Sequence, residues 1–348
     1  MPSPSNSTTP IRIGIIGAGA NTTSRHIPGL QAIDGVELRS VCNRSQASGE
    51  RVAAEFNIPQ VYTNWLDLID DDETDAIVIG TWPYMHARLS IAALDAGKHV
   101  LCEARMARNA AEAHAMLAAA QANPHLTAQI VPSPMTLGVD KTIQRLLAEG
   151  YLGDVLAIEG RVGGTFLDPQ APLHWRNDFD LSGYNTMTMG IWYEAIMRWV
   201  GHSTRVGAFA KTFVPMRADE TGKRKPVRVP DHIDVLADME CGAQLHLQVS
   251  AVAGLAGAPE IFLFGSAGTL RYSQNKLFGG KRGAGELTEI AIPPAEQGAW
   301  RVEEEFINAI RGLEPVTHTT FEDGVKYMEF TEAALRAAAD GIALTLPL

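Results

Sequence analysis

The segment Ile11-Arg-Ile-Gly-Ile-Ile-Gly17-Ala-Gly19-Ala-Asn-Thr22 constrains the fold of this 348-residue chain more than any other. A short apolar run ends in a Gly-x-Gly turn and passes into a helical stretch. A second strand, 36–42, ends about 20 residues further on. Glycines at such a turn let backbone N–H groups approach a pyrophosphate, and the following helix N-terminus favours its charge. Thr22 stands where a third glycine is usual, so the helix is expected to pack somewhat differently here. The alternation continues with strands at 76–80 and 99–102 and helical patterns at 48–56, 91–96 and 110–122. Continuous apolar strands alternating with helices imply a parallel sheet covered on both faces. The fold class is therefore α/β, with a Rossmann doubly wound parallel sheet over residues 11–130.

Beyond residue 131 the pattern changes. Ile233, Val235, Ala237 and Met239 alternate with polar positions, and Leu245, Leu247 and Val249 do the same after Cys241-Gly242. Period two around a short glycine-containing turn predicts a hairpin. A further strand–turn–strand covers 261–272, the charged stretch 215–230 reads as a mobile loop, and helices are expected at 142–149, 300–311 and 321–339. Residues 131–348 thus read as a C-terminal α+β domain with an open, mainly antiparallel sheet. The last helix is free to pack back on the first domain. Leu236, His246 and Gln248 lie on the outer sheet face, which predicts a homodimer or homotetramer.

Charge and cysteine content narrow the partners. The net charge is −11, from 29 basic and 40 acidic residues, which argues against nucleic acid. Cys42, Cys102 and Cys241 form no CxxC pair and read as buried small residues in a reducing compartment. No apolar run reaches membrane-spanning length, and residues 1–10 carry neither a basic charge nor an apolar core. They read as a disordered tail, and the cytoplasm is the expected location. No histidine or cysteine spacing suits a metal.

The second strand ends in Asn43-Arg44-Ser45. An NAD site usually carries an acidic residue there to hold the ribose hydroxyls. Asn43 does not repel a 2′-phosphate, and Arg44 with Ser45 can bind one. The expected cofactor is NADP, with NAD as the alternative.

Several segments together resemble the Gfo/Idh/MocA oxidoreductases, the family of glucose–fructose oxidoreductase and inositol dehydrogenase. They are Gly17–Thr22 with His26-Ile-Pro28, Thr81-Trp-Pro-Tyr-Met-His86, Ala96-Gly-Lys-His-Val-Leu-Cys-Glu103, Gly150-Tyr-Leu-Gly153 and Gly265-Ser-Ala-Gly-Thr269. The resemblance implies a cofactor lying across Gly17, Ala18, Gly19, Ala20 and Asn21, with Asn43, Arg44 and Ser45 at the adenosine ribose. Thr81, Trp82, His86 and Glu103 complete the implied cofactor set. Sugars, polyols and cyclic hydroxy or keto compounds are the implied substrate class.

Departures from the family pattern matter as much. The catalytic lysine that follows the family's Glu is replaced by Ala104, with Arg105 next. The family's Asp and His positions align with Thr188 and Trp192. A carbinol oxidation needs a proton acceptor, so other groups must serve, or no proton relay is needed, or the protein only senses a ligand. The candidates for the replacement set are His174, Tyr184 and Tyr193 for proton transfer and Arg105 and Arg176 for anion binding. His174 is preferred as base, with Asp178 or Asp180 orienting its ring. Ala104, Asn185 and Trp192 are candidate substrate contacts, although Trp175, Trp192 and Trp199 also suit ordinary packing. The expected function is an NAD(P)-dependent oxidoreductase of a small polar substrate with atypical acid/base residues. A redox-neutral lyase, hydratase or isomerase and a non-catalytic nucleotide or sugar sensor are the alternatives.

Overall fold

The computed structural model describes residues 10–348; the tail expected at residues 1–10 lies, but for Pro10, outside the described residues. The chain divides into two compact units. Of the described residues, the first comprises 10–107, 111–132 and 301–324, the second 108–110, 133–300 and 325–348.

Six strands build the first unit: β1 (Ile11–Ile16), β2 (Val36–Cys42), β3 (Gln60–Tyr62), β4 (Ala76–Ile79), β5 (His99–Cys102) and β6 (Ala128–Ile130). All pair in parallel, in the order β3-β2-β1-β4-β5-β6. The helices are α1 (Ile27–Gln31), α2 (Gln46–Phe56), α3 (Trp65–Ile69), α4 (Pro83–Asp95) and α5 (Ala110–Ala122). The four residues of β4 are all buried, as a strand covered on both faces must be. Burial of Ile77, Val78 and Ile79 stabilises the fold by about 1.5–3 kcal/mol each. Strand order reverses between β1 and β4, and doubly wound sheets bind ligands at the carboxyl ends of strands at such a point.

The second unit is organised on α6 (Leu137–Ala148), β7 (Val155–Gly164), α7 (Phe179–Ser182), α8 (Met189–Val200) and β8 (Ser203–Lys211). Next come β9 (Met216–Ala218), β10 (Arg224–Pro226), β11 (His232–Met239), β12 (Gln244–Gly254), β13 (Glu260–Gly265), β14 (Gly268–Ser273), β15 (Lys276–Lys281), β16 (Thr288–Ile290) and, near the C-terminus, β17 (Leu344–Thr345). Nine strands form one sheet, ordered β16-β15-β14-β13-β7-β12-β11-β8-β17. It is antiparallel except where β12 runs parallel to β7. Its inner face carries the alternating Ile233, Val235, Leu245, Leu247 and Val249, all buried. A Cβ on Gly160 of β7 would lie 2.9 Å from Leu247 Cδ1 and 3.8 Å from Ile196 Cδ1 of α8, so sheet and helix pack closely there.

The stretch 215–230 is not an unstructured loop. β9 and β10 pair there as an antiparallel ribbon. The Asp219 carboxylate accepts from Thr221 N, Thr221 Oγ1 and Lys223 N and closes the turn. Asp-nucleated turns of this kind satisfy the backbone that a charged, mixed sequence leaves unpaired. The last two helices are α9 (Val302–Ile310), in the first unit, and α10 (Phe321–Asp340), which belongs to the first unit up to Gly324 and to the second beyond it. Among the described residues no helix is long and apolar enough to cross a membrane.

The tightest backbone approach in the first unit is at Gly80. A Cβ there would lie 2.1 Å from Thr22 Oγ1 and 2.3 Å from the Gly17 carbonyl oxygen. Gly80→Ala should therefore destabilise the protein by about 3 kcal/mol or more, since neither neighbour is the end of a flexible chain. A urea-unfolding midpoint unchanged from the parent would contradict this.

Candidate functional site

β1 ends at the glycine turn. Gly17 has φ +88°, and a Cβ on it would come within 2.7 Å of Thr81 N and Cγ2. Only glycine combines that backbone conformation with that closeness. A Cβ on Gly19 would meet nothing nearer than Gly80 O at 3.8 Å, so the turn is open on that side. The helix starts at Ala20, and its first N–H groups have no intrahelical acceptors. Beside them the buried Thr81 Oγ1 has no hydrogen-bond partner. An open glycine turn, a helix N-terminus and an orphaned hydroxyl are what a dinucleotide pyrophosphate would fit.

The usual third glycine is replaced by Thr22, and Gly80 makes the room. Thr22 is buried, its hydroxyl donating to Gly17 O at 3.3 Å. From Thr22 to His26 the backbone forms a π-turn. Its wider repeat sets Asn21 and His26 on one face, with Asn21 Nδ2 3.4 Å from His26 Nε2.

At the end of β2, Asn43 Oδ1 accepts from the Ala18 amide at 2.7 Å, and Asn43 Nδ2 donates to Ser48 Oγ at 3.1 Å. Asn43 thus braces the glycine turn. Ser45 caps α2, accepting from Ser48 N. Arg44 is exposed, its guanidinium carbon 5.8 Å from the centroid of the Trp82 ring.

His86 is fully buried. Its ring nitrogens lie 2.9 Å from Arg105 O and 3.0 Å from Thr81 O, and burial lowers its pKa. It ties two loops together and presents no ring nitrogen to solvent. Arg105 is buried as well.

A cluster that short-range sequence patterns do not reveal lies beside Glu103. His26 is 0% exposed. Its Nδ1 is 2.5 Å from Glu303 Oε1 and its Nε2 3.0 Å from Glu103 Oε1. Glu103 Oε1 also accepts from Asn21 Nδ2, and Oε2 from Ala104 N at 3.0 Å. Burial alone would lower the His26 pKa, but the bonds to Glu103 and Glu303 outweigh it and raise it to about 9. For Glu103, burial works upward, and the bond and charge of His26 with the Asn21 and Ala104 donors bring the pKa down to about 2. Glu303 is 277 residues from His26 in sequence, beyond any local pattern.

In the second unit, His174 caps a 3₁₀ turn at Trp175–Asn177, with Nδ1 accepting from Arg176 N at 3.3 Å. This leaves Nε2 as the protonated nitrogen of the neutral ring. Burial, then the charge of Arg176, lowers its pKa. Asp178 and Asp180 do not orient the ring. Asp178 caps Asp180 N, and Asp180 pairs with Arg228 at 2.6 Å. The Arg176 guanidinium stands 4.2 Å over Trp175. Asn185 donates to Ser182 O at 2.7 Å.

Two tyrosines depart from the proton-transfer expectation. Tyr193 is 0% exposed, stacks on Phe330 at 3.6 Å and shares hydrogen bonds with Ser203. Burial pushes its pKa up to about 12. It is a core residue. Tyr184 is half-buried against Phe179, and burial also raises its pKa. Trp192 is buried beside Tyr272, a packing role. Among the described residues no cluster of three or more His, Cys, Asp or Glu could hold a metal.

Residues 11–130 match a family described as an oxidoreductase family with an NAD-binding Rossmann fold, and residues 141–271 match the GFO/IDH/MocA C-terminal domain. The chain belongs to the Gfo/Idh/MocA oxidoreductase family. It is 27% identical over 190 residues to an uncharacterized oxidoreductase of Rhizobium meliloti, covering 55% of this chain and 56% of that one. It is 26% identical over 286 residues to glucose-fructose oxidoreductase domain-containing protein 2 of Xenopus tropicalis, covering 81% and 73%. Its fold is similar to that of levoglucosan dehydrogenase in complex with NADH and levoglucosan, with a TM-score of 0.85 at 20% identity over 97% of this chain and all of that one. As a member of this family the chain is a dehydrogenase or reductase with an NAD-binding domain.

The buried His26 cluster has a signed pH consequence. A pKa raised from 6.5 to about 9 contributes stability that is fully present below pH 6.5 and lost as pH rises through about 9. The contribution is roughly 3 kcal/mol. Unfolding free energy should fall across that window, and by less in Glu303→Gln. Parallel profiles for the two proteins would refute the assignment.

Proposed function

We propose that the protein transfers hydride between a nicotinamide dinucleotide, NADP in preference to NAD, and a small polar substrate of the sugar, polyol or cyclic hydroxy/keto class. The observation that carries this is the glycine turn at the sheet's switch point, open at Gly19 and lined by the orphaned Thr81 hydroxyl. The cofactor residues are Gly17, Ala18, Gly19, Ala20 and Asn21 at the pyrophosphate, Arg44 and Ser45 at the adenosine ribose, and Thr81, Trp82 and Glu103 toward the nicotinamide. Asn43 and His86 act by bracing these loops. When bound, the dinucleotide supplies the hydride-accepting or hydride-donating ring.

The preference for NADP rests on what occupies the end of β2. Asn43 commits its carbonyl oxygen to the Ala18 amide, and it offers no carboxylate to hold two ribose hydroxyls or to repel a 2′-phosphate. Arg44 is exposed and cationic, as a 2′-phosphate requires. For the substrate side we propose His174 as the proton-transfer group. Its Nδ1 accepts from a backbone amide and its lowered pKa keeps the ring neutral near pH 7, so it offers Nε2–H as the donor to a substrate oxygen in the reduction direction. Arg176 supplies the positive charge, and Ala104 leaves space where the family carries lysine. Asn185 remains a candidate substrate contact and Tyr184 a candidate proton-transfer group; Trp192 and Tyr193 leave these roles, being packed inside.

We also propose assembly as a homodimer or homotetramer through the outer face of the nine-stranded sheet. Phe209 is 84% and Leu236 53% exposed there, and the register β8–β11–β12 sets them beside His246 and Gln248. Light scattering at micromolar concentration should give a multiple of the 37.5 kDa chain mass; a strictly monomeric mass would overturn the assembly.

Incubation with NADP or NAD and a panel of sugars and polyols should change absorbance at 340 nm. Arg44→Ala should weaken NADP binding about 10- to 100-fold, the value of one charge-assisted contact, and leave NAD binding nearly unaltered. Equal effects on both dinucleotides would refute the 2′-phosphate assignment.

A further inference from the structure

His26 lies outside the residues to which the proposed reaction gives a role, yet it is buried between two carboxylates. Three elements converge on it. The π-turn and its N-cap supply His26 and Asn21, the end of β5 supplies Glu103, and α9 supplies Glu303. Space for the third is made by Gly29 of α1. A Cβ at Gly29 would lie 2.9 Å from Glu303 Cγ and 3.0 Å from its Cδ and Oε2, so any side chain there would displace the carboxylate. Room has been kept for a second acid behind a histidine that already faces one.

The proton arrangement follows from geometry. Both ring nitrogens face carboxylate oxygens at hydrogen-bonding distance, at 2.5 and 3.0 Å. A ring with a single proton would leave a lone pair against an anion at one of them. Two protons therefore lie along the chain Glu303–His26–Glu103, one in each gap, and the triad carries a net charge of −1. The Glu103 carboxylate is correspondingly occupied. Oε1 accepts from His26 and Asn21, and Oε2 from the Ala104 amide. Of about four lone-pair directions on a carboxylate, one on Oε2 remains to take a donor such as a ribose hydroxyl.

We propose that His26 is a positioning residue for the cofactor: backed by Glu303, it holds the Glu103 carboxylate and the first turn after the glycine loop in the single arrangement that a bound dinucleotide requires. This rests on the assignment of Glu103 to the cofactor. Glu303 is the outer support, and Gly29 is the position that lets it in. Glu103 and Glu303 are carboxylates bonded to the ring, and Asn21 is a neutral polar neighbour. Losing the shared proton sets a lone pair against Glu303, and the π-turn and Glu103 lose their common anchor.

The test uses the full-length protein with ¹⁵N-labelled histidine. Ring nitrogen shifts of His26 are followed from pH 6 to 10, and NADPH and NADH affinities are measured by tryptophan fluorescence over the same range. His26 should keep both ring protons until about pH 9, and affinity should fall about tenfold over the same interval. Glu303→Gln should move both midpoints down together by about 1–3 pH units, the effect of removing one adjacent opposite charge. Gly29→Ala displaces Glu303 without altering any charge and should move them in the same direction, which keeps the test available where the glutamine variant does not fold. A ring that titrates below pH 7 in the parent overturns the proposal alone. A ring midpoint that shifts while the affinity profile stays fixed reduces the triad to a structural role and also overturns it. Failure of the parent to bind either dinucleotide at any pH overturns both the proposal and the cofactor reading beneath it.

Discussion

The contact between Gly80 and the pair Gly17 and Thr22 is the constraint on which the first unit depends. With no Cβ at Gly80, the end of β4 comes within van der Waals reach of the turn that leaves β1. That closeness lets Thr22 sit inside the turn, where a third glycine is usual, and bond Gly17 O. The inserted threonine begins a π-turn, a local widening often associated with functional sites. The widened turn places Asn21 and His26 over Glu103. One missing methyl group on β4 is thus connected, contact by contact, to the ionic arrangement at the end of β5.

Two buried histidines in the same unit show how partners decide protonation. His86 and His26 are each 0% exposed, and each has both ring nitrogens within hydrogen-bonding distance of oxygen. The oxygens facing His86 are peptide carbonyls, which carry only partial charge, so burial prevails and the pKa falls. Those facing His26 are carboxylates, and the pKa rises to about 9. Desolvating an ion is costly unless it is paired and fully bonded. The His26 cluster meets that condition with bonds on both sides of the ring and three donors on Glu103. His174 is a third case, exposed and held by one amide at Nδ1, where burial and the charge of Arg176 favour the neutral ring with its proton on Nε2.

Much of this was legible along the chain. The strands at 36–42 and 99–102 and the helix at 110–122 coincide with the pattern that suggested them, because strands buried on both faces and an alanine-rich helix are set by local composition. The hairpin around Gly242 followed from period-two alternation. The ribbon at 216–226 did not, since its stability comes from the Asp219 turn and a paired backbone rather than from apolar periodicity. The parallel pairing of β12 with β7 joins residues about ninety positions apart, and no short pattern encodes such a partner.

The sequence by itself determined the Rossmann unit, its glycine turn, the missing acid after β2 and the absence of lysine at position 104, since each is a property of neighbouring residues. Only the tertiary structure decided what those residues do. It spent Asn43 on the turn, sealed Tyr193 and Trp192 in the core, turned Asp178 and Asp180 away from His174, and set Glu303 beside His26 across 277 residues. Burial and long-range pairing fix the charge and reach of a polar side chain, and neither is a local property of the chain.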